Sequence, residues 1–230
     1  MPRTSQIAVP AEARSPWVAE REASAQEGDG TRQYAVSLTS QRVSDGLEGF
    51  LTGLHAVQEQ HLLDLGPLSQ DTVQVLGRPG RHLHFASLIQ GFDGVRNCHP
   101  QAREEARQRA ASRLLGTYLD FPHGSIHGVL AWDVLQQLSE PAQQSTLAFL
   151  AKIMRPNGIM FCLFHVGAKR VIPAYNFGVT SRRTFSIREV GQRAVERPFS
   201  TREIETLFHP FRAVHFYLKR DALLEVLVFS

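Results

Sequence analysis

Ile126-His127-Gly128-Val129-Leu130-Ala131-Trp132 is entered through Leu119-Asp120-Phe121-Pro122-His123-Gly124-Ser125 and left through Asp133-Val134-Leu135. Its core is almost continuously apolar and is bounded by turn residues. A strand that reads this way has both faces buried, as in the interior of a parallel sheet. Such a sheet needs helices on each side, and the flanking sequence supplies them.

Upstream, His61-Leu62-Leu63-Asp64-Leu65 repeats the pattern and is stopped by Gly66-Pro67. Before it, Leu47, Phe50, Leu51, Leu54 and Val57 recur at spacings of three and four, which predicts an amphipathic helix over 46–60. Thr72 to Leu76 reads as a short helix, Gly77-Arg78-Pro79-Gly80 as a break, and Leu83-His84-Phe85 as a second strand. Gln101 to Leu115 reads as a solvated helix, with Glu104/Gln108 and Glu105/Arg109 one turn apart.

Downstream, a helix over 140–155 ends in the turn Arg155-Pro156-Asn157-Gly158, and Ile159 to His165 is the next strand. Ala213 to Leu218 and Leu223 to Phe229 are joined by only Lys219-Arg220-Asp221-Ala222, which suits a hairpin and not a crossover. The expected fold is α/β: a Rossmann-like, mostly parallel sheet with helices on both faces and an antiparallel C-terminal hairpin at the edge.

The 230 residues, 43% of them hydrophobic, suffice for one sizeable core. Residues 1–40 are rich in Ala, Glu, Ser, Gly and Arg and read as a flexible leader, leaving 41–230 as the domain. The longest apolar run, Gly158 to Ala168, is interrupted by His165 and is too short to span a bilayer. Only Cys98 and Cys162 are available for cross-linking. A cytoplasmic protein without a membrane partner is expected. The formal charge of +3 is small for this length and gives weak support to a nucleic-acid partner.

The segments already quoted carry a resemblance. His61-Leu62-Leu63-Asp64-Leu65-Gly66 resembles the first motif of the class I S-adenosylmethionine-dependent methyltransferases. Leu119 to Leu135 resembles the segment around that family's fourth strand, and Leu147 to Met160, with Met154-Arg155-Pro156-Asn157-Gly158, its turn into the fifth. The closing hairpin is similar to the family's reversed last strands, so the resemblance spans roughly 46–230. It implies S-adenosylmethionine as cofactor, an unidentified methyl acceptor as partner, and a pocket at Asp64, Gly66, Pro67, Ser87, Asp120, Phe121 and Trp132.

The resemblance has departures. The family's glycine-rich turn here reads Gly66-Pro67-Leu68-Ser69-Gln70, in which only Gly66 is kept and Pro67 removes a backbone donor. Where the family presents a carboxylate to the ribose, this chain has about Ala86-Ser87. The adenine-side acid aligns with about Leu115, with Asp120 nearby as a substitute. An inactive, methyltransferase-like binding or scaffold module is therefore the alternative to an enzyme.

Read from the residues, Trp132 and Phe121 are candidates to flank an adenine ring, although packed core is the better reading, and Asp133 either caps the following helix or meets substrate, capping being favoured. His127 is a candidate base, although a structural histidine is the better reading. His82 and His84 share a strand face while Cys162 and His165 face opposite sides, so no four-ligand set emerges and no metal centre is expected. Lys169, Arg170, Arg182, Arg183, Arg188, Arg193 and Arg197 make 155–202 basic. This segment reads as a solvated loop, with a lid that receives an anionic acceptor as the alternative. No Gly-x-Ser-x-Gly, Walker or Gly-x-Gly-x-x-Gly word occurs, and no residue is nominated as catalytic.

Overall fold

A computed structural model describes residues 39–54, 58–98, 104–167, 170–195, 198–218 and 223–230. Of the expected leader, only Thr39 and Ser40 fall within them, and they open the first strand. The central sheet has six strands: β2 (Gln60–Asp64), β3 (Arg81–Phe85), β4 (Ile126–Trp132), β5 (Met154–His165), β8 (Ala213–Tyr217) and β9 (Leu223–Phe229). Their order is β3-β2-β4-β5-β9-β8. The first four run parallel, while β9 pairs antiparallel with β5 and β8 antiparallel with β9.

Alternation along each strand sends side chains to two separate cores. Leu63, Leu65, Val129, Ala131, Met160 and Phe164 enter one, covered by helices α3 (Leu88–Cys98), α4 (Glu104–Tyr118), α5 (Val134–Gln137), α6 (Glu140–Ile153) and α7 (Thr201–Leu207). Leu62, Leu130, Trp132, Ile159, Phe161 and Leu163 enter the other, beneath α1 (Asp45–Gly53) and α2 (Gln70–Leu76). Helices thus lie on both faces, as the strand pattern required. Among the described residues no helix is long and apolar enough to cross a membrane.

Three regions differ from the expectation. Helix α1 stops at Gly53, seven residues before β2 begins. Helix α3 covers a stretch for which no helix was expected, although Leu88, Phe92 and Val95 recur at helical spacing around Gly91 and Gly94. The basic segment is not a loop: β6 (Val171–Ser181) and β7 (Thr184–Ala194) form a hairpin, and β1 (Thr39–Val43) pairs antiparallel with β7 to complete a second, three-stranded sheet. The turn Arg155-Pro156-Asn157-Gly158 does form, but inside β5, where the pairing jumps from Ile126 with Met154 to Gly128 with Ile159 and Asn157 takes φ 63°.

A buried charge ties the small sheet to the large one. Glu225 of β9 is fully buried and accepts from Arg42 Nε at 3.2 Å, Ser44 Oγ at 2.9 Å and Gly46 N at 2.9 Å, while Arg42 Nη2 donates to Leu223 O. Ser44 also caps α1 by accepting from Leu47 N. The arginines of the hairpin are held as well: Arg193 makes a bidentate pair with Asp93, Arg183 pairs with Asp45 and Glu48, and Arg182 donates to Thr52.

Candidate functional site at the carboxyl edge of the sheet

Parallel strands leave their ligand-binding crevice at their carboxyl ends. At the end of β2, Asp64 is buried. Its Oδ1 accepts from Gly66 N and from Trp132 Nε1, each at 2.8 Å, whereas Oδ2 is buried with no hydrogen-bond partner among the described residues. Burial pushes its carboxyl up to about 7, against the two hydrogen bonds that favour the charged form.

The carboxylate sets the exit turn. A Cβ on Gly66 would lie 3.1 Å from Asp64 Oδ1 and 3.2 Å from Trp132 Cδ1, so any larger residue here presses on both side chains. Gly66 O accepts from Ser87 N at 3.2 Å, which joins the turn to the end of β3. Pro67 is half-buried, Leu68 is 72% exposed, and Ser69 caps α2 through Thr72 N.

Two residues at this edge hold a left-handed backbone without being glycine: Ser87 at φ 38° and Trp132 at φ 48°. For a residue as bulky as Trp, that conformation costs on the order of 1 kcal/mol or more. What holds it is the ring's surroundings. The indole stacks on Phe177 of β6 at 5.1 Å and 7°, and meets Phe161 and Phe185 edge-on. Phe121 instead lies edge-on to His84 and packs with the opposite core. Trp132 and Phe121, the two candidates to flank one ring, thus pack into the cores on opposite faces of the sheet. Asp120 is exposed beside Phe121.

Asp133 does not cap α5, because its side chain makes no cap hydrogen bond. It turns to His165 at the end of β5, with Oδ2 3.2 Å from Nε2, and both residues are buried. Gln136 clamps the backbone of His165, donating to its O and accepting from its N at 2.7 Å. The imidazole stacks on Tyr175 of β6 at 5.6 Å. Burial, then Glu189 and then Asp133, push the Tyr175 phenol up. An aspartate that orients a histidine is the arrangement of a general base. The sequence held its signal, since Asp133 and His165 close two apolar strands. His127, the base considered from sequence, lies early on β4, and its Nδ1 accepts from His61 N at 3.2 Å.

The small sheet reaches over the exit turn. Val179 N donates to Thr72 Oγ1 at 3.0 Å. Between the sheet and the turn lies a cleft of about 260 Å³, bordered by Pro67, Ser69, Asp71, Asn176, Phe177 and Arg188.

Five strands that run in one direction, with the last strand reversed between β5 and β8, and the quoted segments falling at β2, β4 and β5, decide the architecture. The chain has the fold of the class I S-adenosylmethionine-dependent methyltransferases. No family model matches this methyltransferase-fold chain, and no curated protein matches it. Solved structures similar to it include 1,6-didemethyltoxoflavin-N1-methyltransferase of Burkholderia thailandensis, at 15% identity, covering 81% of this chain and 79% of that one with a TM-score of 0.43. A SAM-dependent methyltransferase of Archaeoglobus fulgidus is 9% identical over 80% of this chain and 91% of its own, TM-score 0.48. One from Aquifex aeolicus is 11% identical over 81% and 90%, TM-score 0.45.

Proposed function

We propose that this methyltransferase-fold domain transfers a methyl group from S-adenosylmethionine to a small acceptor, with His165 as the base. The observation that carries the reading is the buried Asp133–His165 pair across the carboxyl ends of β4 and β5, beside the turn where the cofactor would lie.

The residues present fit an adenosyl ligand with a reduced set of donors. Gly66 and its tight turn are kept, Asp64 Oδ2 is a buried acceptor lacking a partner among the described residues, and the Ser87 hydroxyl stands where the family has a carboxylate. Bound there, the cofactor supplies an electrophilic methyl group. Asp64 would set the turn, and Ser87 would hold the ribose with one hydroxyl, so binding is expected to be weak. Asp133 holds His165 through Nε2, leaving Nδ1 to take the proton from an acceptor hydroxyl or amine as that atom attacks. Arg188, at the cleft, favours an acceptor of anionic character.

The Trp132 ring, packed against Gly66, favours a second reading: a domain that has closed its cofactor turn and serves as a binding module. Calorimetry with S-adenosylhomocysteine separates the two. Saturable binding that also raises the melting temperature supports the enzyme. No heat and no stabilisation at millimolar ligand supports the module.

A further inference from the structure

We propose that the opposite, amino end of the parallel sheet carries a zinc-type metal site formed by Glu59, His61 and His82. The parallel register of β2 and β3 sets His61 directly beside His82. Two strands that each begin with an outward imidazole thus present a pair, and Glu59, two residues before His61, falls on the same face. One ligand atom from each of the three residues lies within 4.8 Å of the others. Tetrahedral zinc at bonds of about 2.0–2.1 Å needs ligand atoms roughly 3.4 Å apart. Glu59 and His82 are exposed, so their side chains are free to rotate and close that gap, His82 turning out of its stack on His61.

The neighbours orient the ligands. His61 Nδ1 is 3.1 Å from His84 Nε2, so the tautomer in which His61 donates through Nδ1 would leave Nε2 for the metal. The His61 and His82 rings stack at 4.7 Å and 15°, and His61 and His84 at 5.4 Å. The His127 Nδ1 accepts from the His61 backbone and so sits outside the ligand set, in a supporting position. Two imidazoles and one carboxylate suit zinc and its late first-row neighbours, not magnesium or calcium. Three protein ligands leave a fourth position for water or an incoming group.

The test is a zinc titration of the tag-free full-length chain against a chromophoric chelator, with cobalt(II) as a spectroscopic probe. One equivalent of zinc is expected. His82→Ala and Glu59→Gln should each weaken binding at least about tenfold, and His209→Ala, at an exposed histidine outside the cluster, should change nothing. The cobalt form should show d–d bands with no thiolate charge-transfer band. Absence of zinc binding, full retention of it in the His82→Ala/Glu59→Gln double variant, or a thiolate band would each overturn the site. Both substituted side chains are exposed, and unchanged circular dichroism of the variants confirms that lost binding is not lost folding.

Discussion

Trp132 donates its indole N–H to Asp64 Oδ1 at 2.8 Å, and this bond joins the carboxyl ends of β4 and β2 directly above their last backbone pairing. It puts one buried carboxyl, one strained aromatic and the glycine of the exit turn in a single unit. Changing any of the three is felt by the others.

Asp64 makes stability depend on pH. Its carboxyl titrates at about 7 when folded, against 3.8 when free. Between those values the folded chain holds a proton that the unfolded chain has lost, so stability falls as pH rises from about 4 to about 7 and then levels. The difference corresponds to at most about 4 kcal/mol. Asp64→Asn should remove this component, and urea denaturation of both proteins at pH 5 and pH 8 measures it. Equal slopes for the two would refute the assignment.

Trp132→Phe keeps an aromatic against Phe177 but deletes the donor to Asp64. A loss of about 1–3 kcal/mol is expected. Because that hydrogen bond favours the charged carboxylate, the pH-dependent fall should extend to higher pH in the variant. Denaturation midpoints across pH 5 to 9 read out both effects.

Glu225 anchors Arg42, Ser44 and Gly46 inside the protein. Glu225→Ala leaves the Arg42 guanidinium buried without its carboxylate, and should cost about 3–5 kcal/mol. Replacing both residues with apolar side chains should cost less than the single change. A double-mutant cycle by thermal denaturation gives the coupling.

How much of this was legible in the sequence follows from which interactions are local. Strand β4 matches its expected bounds because an apolar run between turn signals, broken only by His127, needs no partner to be recognised. The β6–β7 hairpin was read as loop, since Pro173, Gly178 and Gly191 interrupt it and its outer face is basic. Its strand character comes from pairing with β1 and packing on Trp132. Asp64 and Gly66 came from the first motif, while the Asp133–His165 pair depends on the register of β4 against β5. The same holds for His61 beside His82: spacing within β3 showed His82 and His84 on one face, but nothing local showed β2 alongside.

Ser87 tests the weak point of the cofactor reading. Aspartate tolerates the left-handed backbone at this position better than most residues and restores a carboxylate to the end of β3. Ser87→Asp should tighten S-adenosylhomocysteine binding by about tenfold, a gain of the size expected for a charge-assisted hydrogen bond. Unchanged or weaker affinity by calorimetry would count against a ribose at this strand end.

His165→Ala should lower methyl transfer by about 10²–10⁴-fold while leaving cofactor affinity within about twofold, and Asp133→Asn should lower it less. A radiolabelled methyl-transfer assay against panels of small hydroxyl and amine acceptors reads the rate. Loss of affinity equal to the loss of rate would assign His165 to structure and not to proton transfer.

The carboxylate that fastens the start of the domain belongs to β9, the last strand of the sheet. A nascent chain stopped short of residue 225 can pair β1 with β7 but lacks the carboxylate that holds Arg42, Ser44 and Gly46, however well β2 to β5 have assembled. The roof over the exit turn is therefore the final piece to lock. Ribosome-stalled chains of increasing length should remain open to protease at β1 until Glu225 has cleared the exit tunnel.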